Sequence, residues 1–460
     1  MVVSAAPMPA RWHTWAEDLL LQPETLAQMA RVVGDTFHVL DPATFADNLA
    51  AFSAAFDDCG VDGRIRYGYK ANKARAFVRE CASAASAARG RFGVDVASVE
   101  EFGAALTAGV RGEEIVVTGP AHGDEMLRLA ARHDAVVAID SLESVRRLCA
   151  RPPAEDLGIL LRLRPPGATT RFGLTDGQVR VALSELRDCK RIVLRGMSFH
   201  LSGYDIAPRA AMAHHAIDLC LAARDCGHRP EMISLGGGFA VDYLDRRHWD
   251  AYRAEEVAQW YFDGNAPASL YPYAPDVAGA EMLSAVLGTS RSQRAPGDHS
   301  GSVAQRVRDL SLRIMVEPGR ALCDGAGFSV FTVRGIHHTP DGTAVVTVSG
   351  TSLSLSEQWF GSEFLPDPRL IDLDEDTAPH GHTTETMSAV VAGSTCLDGD
   401  LLSRRRIRFP RRAKVGDLLV YPNTAGYQMD SNESEFHQTP LPPKLVVRQR
   451  DTTTTWSIDR

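Results

Sequence analysis

A chain of 460 residues with 49 Lys and Arg against 58 Asp and Glu carries a net charge of −9, with no block of like charge. That balance argues against nucleic acid or an anionic membrane surface as a partner and leaves a small molecule as the expectation. Eight cysteines (Cys59, Cys81, Cys149, Cys189, Cys220, Cys226, Cys323 and Cys396) stand at irregular spacings; a chain this long needs no disulfide staples, and the pattern suits a reducing compartment.

The N-terminus, "MVVSAAPMPARWHTW", lacks a basic stretch followed by a continuous apolar one, and no run reaches the ~18 apolar residues of a membrane span. The expectation is a soluble, cytoplasmic protein of about two domains. Residues 1–40, ending in the strand-like "DTFHVLD", are expected to pack with a C-terminal β-domain.

From residue 41 to 320 short β-rich runs alternate with helix-like segments, the pattern of parallel strands joined by crossovers. The runs are "RIRYGY" from Arg64, "RFGVDV" from Arg91, "EIVVT" from Glu114, "AVVAI" from Ala135, "GILLRL" from Gly158, "VLRGMSF" from Val193, "EMISL" from Glu231 and "LRIMV" from Leu312. Eight such runs predict a closed α/β barrel with active groups at the C-terminal strand ends. An insertion is expected near 245–308, including the Gly/Ser/Arg-rich "GTSRSQRAPGDHSGS", read as a surface loop. From 321 to 460 alternating β-type runs without amphipathic helices predict an all-β domain.

Just beyond the barrel strands stand Lys70, Asp95, Gly119-Pro120, Asp140, Arg164, His200, Gly236-Gly237-Gly238 and Glu317. Asp95 and Asp140 are read at least equally well as loop residues, Asp140 as the helix cap of "SLESVRRL". "LGGGF" suits either a phosphate cradle or a tight turn, and "EPGR" places Glu317 and Arg320 on one rim. A lysine, a glycine loop with a cation, and a carboxylate are what a cofactor with an aldehyde, a phosphate and a pyridine nitrogen requires. "PHGHTTE" at 379–385 shows no zinc-type spacing, and HExxH, Walker A and G-x-S-x-G motifs are missing from the sequence.

The ordered motifs "YGYKAN", "FGVDVASVEEFGAAL", "IVVTGPAH", "AIDSLESVRRL", "ILLRLRP", "RFGL", "SFHLSGY", "SLGGGF", "EPGR", "GSTCLDGD" and "TAGYQMD" resemble the fold-type III pyridoxal phosphate decarboxylases, which include diaminopimelate, ornithine and arginine decarboxylases. The resemblance covers about residues 35–446. It implies an alanine racemase-type barrel plus a β-domain, pyridoxal 5'-phosphate as cofactor, an amino acid substrate, and a homodimer with shared sites. It further implies that Lys70 carries the cofactor as a Schiff base, that His200 stacks on its ring, and that Glu317 pairs with the ring nitrogen. Gly237, Gly238, Arg320 and Tyr427 would hold the phosphate.

Cys396 aligns with a proton-donating cysteine supplied by the partner subunit. Leu397 stands where ornithine and diaminopimelate decarboxylases carry an acid for the distal ammonium, which leaves Asp398 or Asp400 as candidate substrate ligands. Lys70 is expected to be partly desolvated, and so neutral often enough to react. A racemase or epimerase using the same cofactor, and a non-catalytic homologue that binds a partner protein, are the alternatives.

Overall fold

The computed structural model describes residues 5–291, 301–355, 362–373, 385–430, 434–450 and 453–460. Most of "GTSRSQRAPGDHSGS" and of "PHGHTTE" lies outside the described residues.

β1 (Thr36–Leu40) comes first, followed by seven strands of a barrel: β2 (Gly63–Gly68), β3 (Phe92–Val96), β4 (Ile115–Val117), β5 (Val136–Ile139), β6 (Leu157–Leu163), β7 (Ile192–Phe199) and β8 (Met232–Ser234). A small ribbon of β9 (Ser290–Arg291) and β10 (Gly301–Ser302) precedes β11 (Arg313–Val316), which pairs in parallel with both β8 and β2 and closes the eight-stranded barrel. The short runs "IVV" of β4 and "VVAI" of β5 are almost wholly buried, as expected of parallel strands covered on both faces.

Polar caps then turn the chain into helices at the rim. Ser98 Oγ accepts from Glu101 N at 3.1 Å, and Thr175 with Gln178 forms a reciprocal capping box. The cap expected at Asp140 falls one residue later: Ser141 Oγ accepts from Ser144 N at 3.2 Å, because Asp140 still ends the extended segment.

The second body is a nine-stranded sheet. Its strands are β1, β12 (Gly327–His338), β13 (Ala344–Val348), β14 (Arg369–Ile371), β15 (Met387–Ala392), β16 (Leu401–Phe409), β17 (Leu418–Tyr421), β18 (Lys444–Arg450) and β19 (Thr453–Ile458). β1 lies antiparallel to β12 and parallel to β18, so a strand preceding the barrel is hydrogen-bonded into the sheet that follows it. The helices Thr14–Leu20 and Pro23–Val33 bury Trp15, Leu19, Leu26 and Met29 against Phe328, Val330, Leu418 and Val447 of that sheet.

Cys149 and Cys189 form a disulfide with Cα atoms 5.3 Å apart, contrary to the expectation of eight reduced cysteines. Their separation of 40 residues conceals that the end of helix Leu142–Ala150 and the turn after helix Asp176–Leu186 are neighbours. With this bridge, cysteine usage no longer argues for a reducing compartment. No described helix is long and apolar enough to cross a membrane.

Candidate active site

Lys70 sits in a single 3₁₀ turn, Tyr69–Ala71, at the end of β2. The turn is fixed from both sides: Tyr67 Oη donates to Asn72 O at 2.9 Å, and Asn72 Nδ2 donates to Ala425 O at 2.9 Å in the second body. The Lys70 side chain is 45% exposed, although what it faces is the cavity within the barrel mouth. Its Nζ lies 2.9 Å from Asp95 Oδ2, while Thr118 Oγ1 donates to Asp95 Oδ1 at 2.5 Å and the Asp95 side chain is 1% exposed.

The negative charge of Asp95 holds the Lys70 ammonium well above its ordinary range, against the opposing effect of burial. The expectation of an amine made neutral by desolvation is therefore corrected. Burial alone would act in that direction, but a carboxylate in direct contact outweighs it. Asp95, read equally well as a loop residue, turns out to be the partner of this lysine.

The glycine loop after β8 is drawn tight against its neighbours. Gly236 and Gly238 have φ of +66° and +79°. A Cβ on Gly237 would lie 2.7 Å from Glu317 O, and one on Gly238 would lie 2.6 Å from Arg209 Nη2. Only glycine leaves the backbone there open to the cavity. Arg209, fully buried, pins the loop by donating to Leu235 O at 3.0 Å and Gly238 O at 3.1 Å. Sequence reading missed Arg209, which lies in the helix "IAPRAAMAHH" with nothing to distinguish it from a surface position.

Ser234 links this loop to Glu317: its Oγ accepts from Gly236 N at 3.1 Å and donates to Glu317 Oε1 at 2.5 Å. Burial, helped by Asp95, pushes the Glu317 carboxyl up to about 7 despite the Ser234 hydrogen bond. His200 Nδ1 accepts from Gly237 N at 3.4 Å, and burial, with the charges of Lys70, Arg162 and Arg209, lowers the imidazole to about 3. The ring is exposed to the cavity rather than packed in the interior, and these effects favour its neutral form in the cofactor-free protein.

Arg162 lines the cavity from β6 with its guanidinium 4.6 Å from the Phe172 ring centre. Arg164, the arginine picked out from the sequence, instead turns its Nε to Phe172 O at 3.4 Å. Both lie on one face of an extended run, and β6 ends at Leu163 between them.

Arg320 is buried, donating to Tyr243 Oη and Gly426 O, each at 3.2 Å, and its guanidinium lies 4.6 Å from the Tyr271 ring and 5.1 Å from that of Tyr427. Tyr427 holds φ +79° and donates its N–H to Ala71 O at 2.8 Å, which places its ring in the cavity of its own chain. A Cβ on Gly319 would meet Tyr427 Oη at 2.9 Å.

Cys396 is exposed on the β-domain and does not line this cavity. Leu397, 54% exposed, and Asp398 flank it on the surface. Asp400, expected as a candidate substrate ligand, has another task. It is 6% exposed, and its carboxylate accepts from Ser352 N at 2.7 Å, Thr395 N at 3.1 Å and Thr395 Oγ1 at 2.8 Å. Asp400 braces the loop that carries Cys396.

Lys70, Arg162, His200, Gly237, Gly238, Glu317, Arg320 and Tyr427 line one cavity of about 1450 Å³ that continues past Tyr204, Tyr271 and Trp249. These residues fit pyridoxal phosphate. The opened glycine loop beside the Arg320 guanidinium suits a phosphate, the neutral imidazole suits a ring face, and a carboxyl on the floor and an amine at the mouth suit the two reactive ends.

The pyridoxal binding domain of the pyridoxal-dependent decarboxylases matches residues 43–268. An uncharacterized protein, y4yA, of Sinorhizobium fredii is 35% identical over 417 residues, covering 90% of this chain and 88% of the relative. The diaminopimelate decarboxylase of Zymomonas mobilis is 22% identical, covering 93% and 91%. The structure of Helicobacter pylori diaminopimelate decarboxylase (I148L mutant) complexed with L-lysine superposes with a TM-score of 0.72 at 16% identity, covering 95% of this chain and 96% of that one. The arginine decarboxylase of Paramecium bursaria Chlorella virus gives 0.69 at 16% identity, covering 93% and 99%.

The barrel with its appended sheet is therefore the architecture of these decarboxylases. The chain belongs to the fold-type III pyridoxal phosphate-dependent decarboxylase family, and is a carboxy-lyase with pyridoxal 5'-phosphate as its cofactor.

Proposed function

We propose that the protein removes the α-carboxylate of an amino-acid-derived substrate larger than a free diamino acid, using a cavity from one copy and a cysteine from a second. The observation that carries this reading is the convergence of Lys70, His200, Glu317 and the glycine loop on one cavity from which the chain's own Cys396 is excluded.

Pyridoxal phosphate, when bound, supplies an aldehyde for amines and a ring that takes up the electron pair left by departing carbon dioxide. Lys70 Nζ is the amine that holds it, and must first pass a proton from its pair with Asp95. The glycine loop at Gly237 and Gly238, the Arg320 guanidinium and Tyr427 would hold the phosphate. His200 presents an uncharged ring face. Glu317, kept near neutrality by burial and fixed by Ser234, shares its proton with the pyridine nitrogen.

Cys396 Sγ of the second copy delivers a proton to the substrate carbon; the binding-protein alternative leaves this donor without a role, whereas a racemase would use Cys396 and Lys70 as opposed bases and release no carbon dioxide. Leu397 offers no charge to a distal ammonium, whereas Asp398 is exposed beside it. The cavity must also hold the cofactor, and its aromatic extension past Tyr204, Tyr271 and Trp249 accommodates an apolar or conjugated far end.

Carbon dioxide release from a panel of L- and D-amino acids, lysine, ornithine, meso-diaminopimelate and their N- or side-chain-acylated conjugates tests this. Release from conjugates in preference to the free diamino acids is expected. Preference for a free diamino acid would refute the substrate assignment, and inversion without gas release would refute decarboxylation.

A further inference from the structure

Cys396 is not alone on its loop. Its Sγ lies 3.3 Å from Nε2 of His437, a residue 41 positions later. The approach depends on an unusual backbone: His437 has φ +60° and ψ +18°, and Gln438 also has a positive φ of +58°. Two consecutive side-chain-bearing residues in the left-handed region are disfavoured and persist where the surroundings demand them. The Phe436 ring packs against the imidazole with centroids 4.3 Å apart. Asp400 braces the opposite side of the contact by holding Thr395.

Leu397, the residue after Cys396, and Phe436, whose ring packs on His437, are both exposed in the single chain and add apolar surface of the kind a second copy covers. The thiol and the imidazole therefore travel together toward the neighbouring site.

We infer that His437 is the proton-exchange partner of Cys396, a positioning residue in the second copy's contribution; this rests on the reading of Cys396 as the proton donor. When Sγ gives its proton to the substrate carbon, the S–H bond breaks and a C–H bond forms, leaving a thiolate. His437, as imidazolium, returns a proton from Nε2 to Sγ and is left neutral. It then takes a proton from water, to which its ring is exposed in the single chain. No electrons are gained or lost in the cycle. The imidazole also fixes the direction in which the thiol points.

The first test needs no substrate. Carbamidomethylation of Cys396 by iodoacetamide at neutral pH, followed by peptide mapping of the full-length protein, compares wild type with His437→Asn and His437→Gln. Asn tolerates the left-handed backbone, so it separates loss of the imidazole from collapse of the turn. Cys396 is expected to react about fivefold more slowly in both variants, because neither amide can draw the thiol proton. Equal rates in all three proteins would overturn the inference.

The second test is carbon dioxide release by the holoenzymes on the same amino acid panel. An inactive Cys396→Ala with both His437 variants slowed about tenfold supports the inference. An inactive Cys396→Ala beside His437 variants of wild-type rate overturns the role of His437 alone. A Cys396→Ala of wild-type rate overturns the donor reading, and this inference with it.

Discussion

Lys70, Asp95 and Glu317 show how three charged groups divide the work of one cavity. Asp95 keeps Lys70 charged, and the same negative charge helps keep Glu317 protonated, so the cofactor-free mouth holds a cation at one end and a neutral acid at the other. The carboxyl of Glu317 is raised from an ordinary 4.5 to about 7. Between those pH values the folded chain retains a proton that the unfolded chain loses, so Glu317 makes the cofactor-free protein less stable as pH rises through that window.

Glu317→Gln has no such titration. Thermal unfolding of the cofactor-free variant is expected to show a shallower loss of stability from pH 4.5 to 7 than wild type. Its holoenzyme should lose at least ~100-fold in kcat, in line with the removal of one electrostatic stabiliser from an enclosed site. Unchanged turnover would remove Glu317 from the mechanism.

Which residues stand at the rim was readable from the sequence, because a lysine, a histidine and a glutamate at strand ends have few structural uses. Their protonation was not. For Lys70 it follows from a 2.9 Å contact between residues 25 positions apart, and for Glu317 chiefly from burial, and no local pattern encodes either.

Among the elements, the loop Gly236–Gly238 is the least replaceable. Its glycines serve both turn and cradle, so the even weighting of those two readings in the sequence reflects one geometry. Gly238→Ala puts a methyl group 2.6 Å from Arg209 Nη2 at a φ of +79°. A non-glycine residue in such a position costs of order 1–3 kcal/mol, and Arg209 would have to release a carbonyl to make room. The expected result is at least a tenfold weaker grip on pyridoxal phosphate, measured by absorbance titration, with the fold retained by circular dichroism. Wild-type affinity would show that the loop does not hold the phosphate.

All eight barrel strands were legible because each apolar run is short and bounded by polar or glycine residues, with the chain alternating regularly between such runs and helical segments. Arg162 was not, since its face is shared with Arg164 and the sequence does not mark where β6 stops. Cys149 and Cys189 stayed hidden for a similar reason: the helix packing that joins them leaves no periodic signal.

At the scale of the whole molecule, the cavity and Cys396 do not meet within one copy. The barrel and Tyr427 complete one cavity, whereas Cys396 with Leu397 and His437 faces outward on the β-domain. A two-fold dimer that exchanges these faces satisfies both, and mixing inactive variants reads it out. In an equimolar mixture of Lys70→Ala and Cys396→Ala, half the dimers are mixed, and one of the two sites in each is intact. Carbon dioxide release should recover to about a quarter of wild type. No recovery, once subunit exchange is demonstrated, would place Cys396 in the site of its own chain.

The central claim is the attachment point of the cofactor, and the cavity offers a rival in Lys73, which also lines it. Borohydride reduction of the holoenzyme followed by peptide mapping decides between them. The account predicts a phosphopyridoxyl group on Lys70 alone. A label on Lys73 or elsewhere, or no label on a protein that has bound the cofactor, would contradict it.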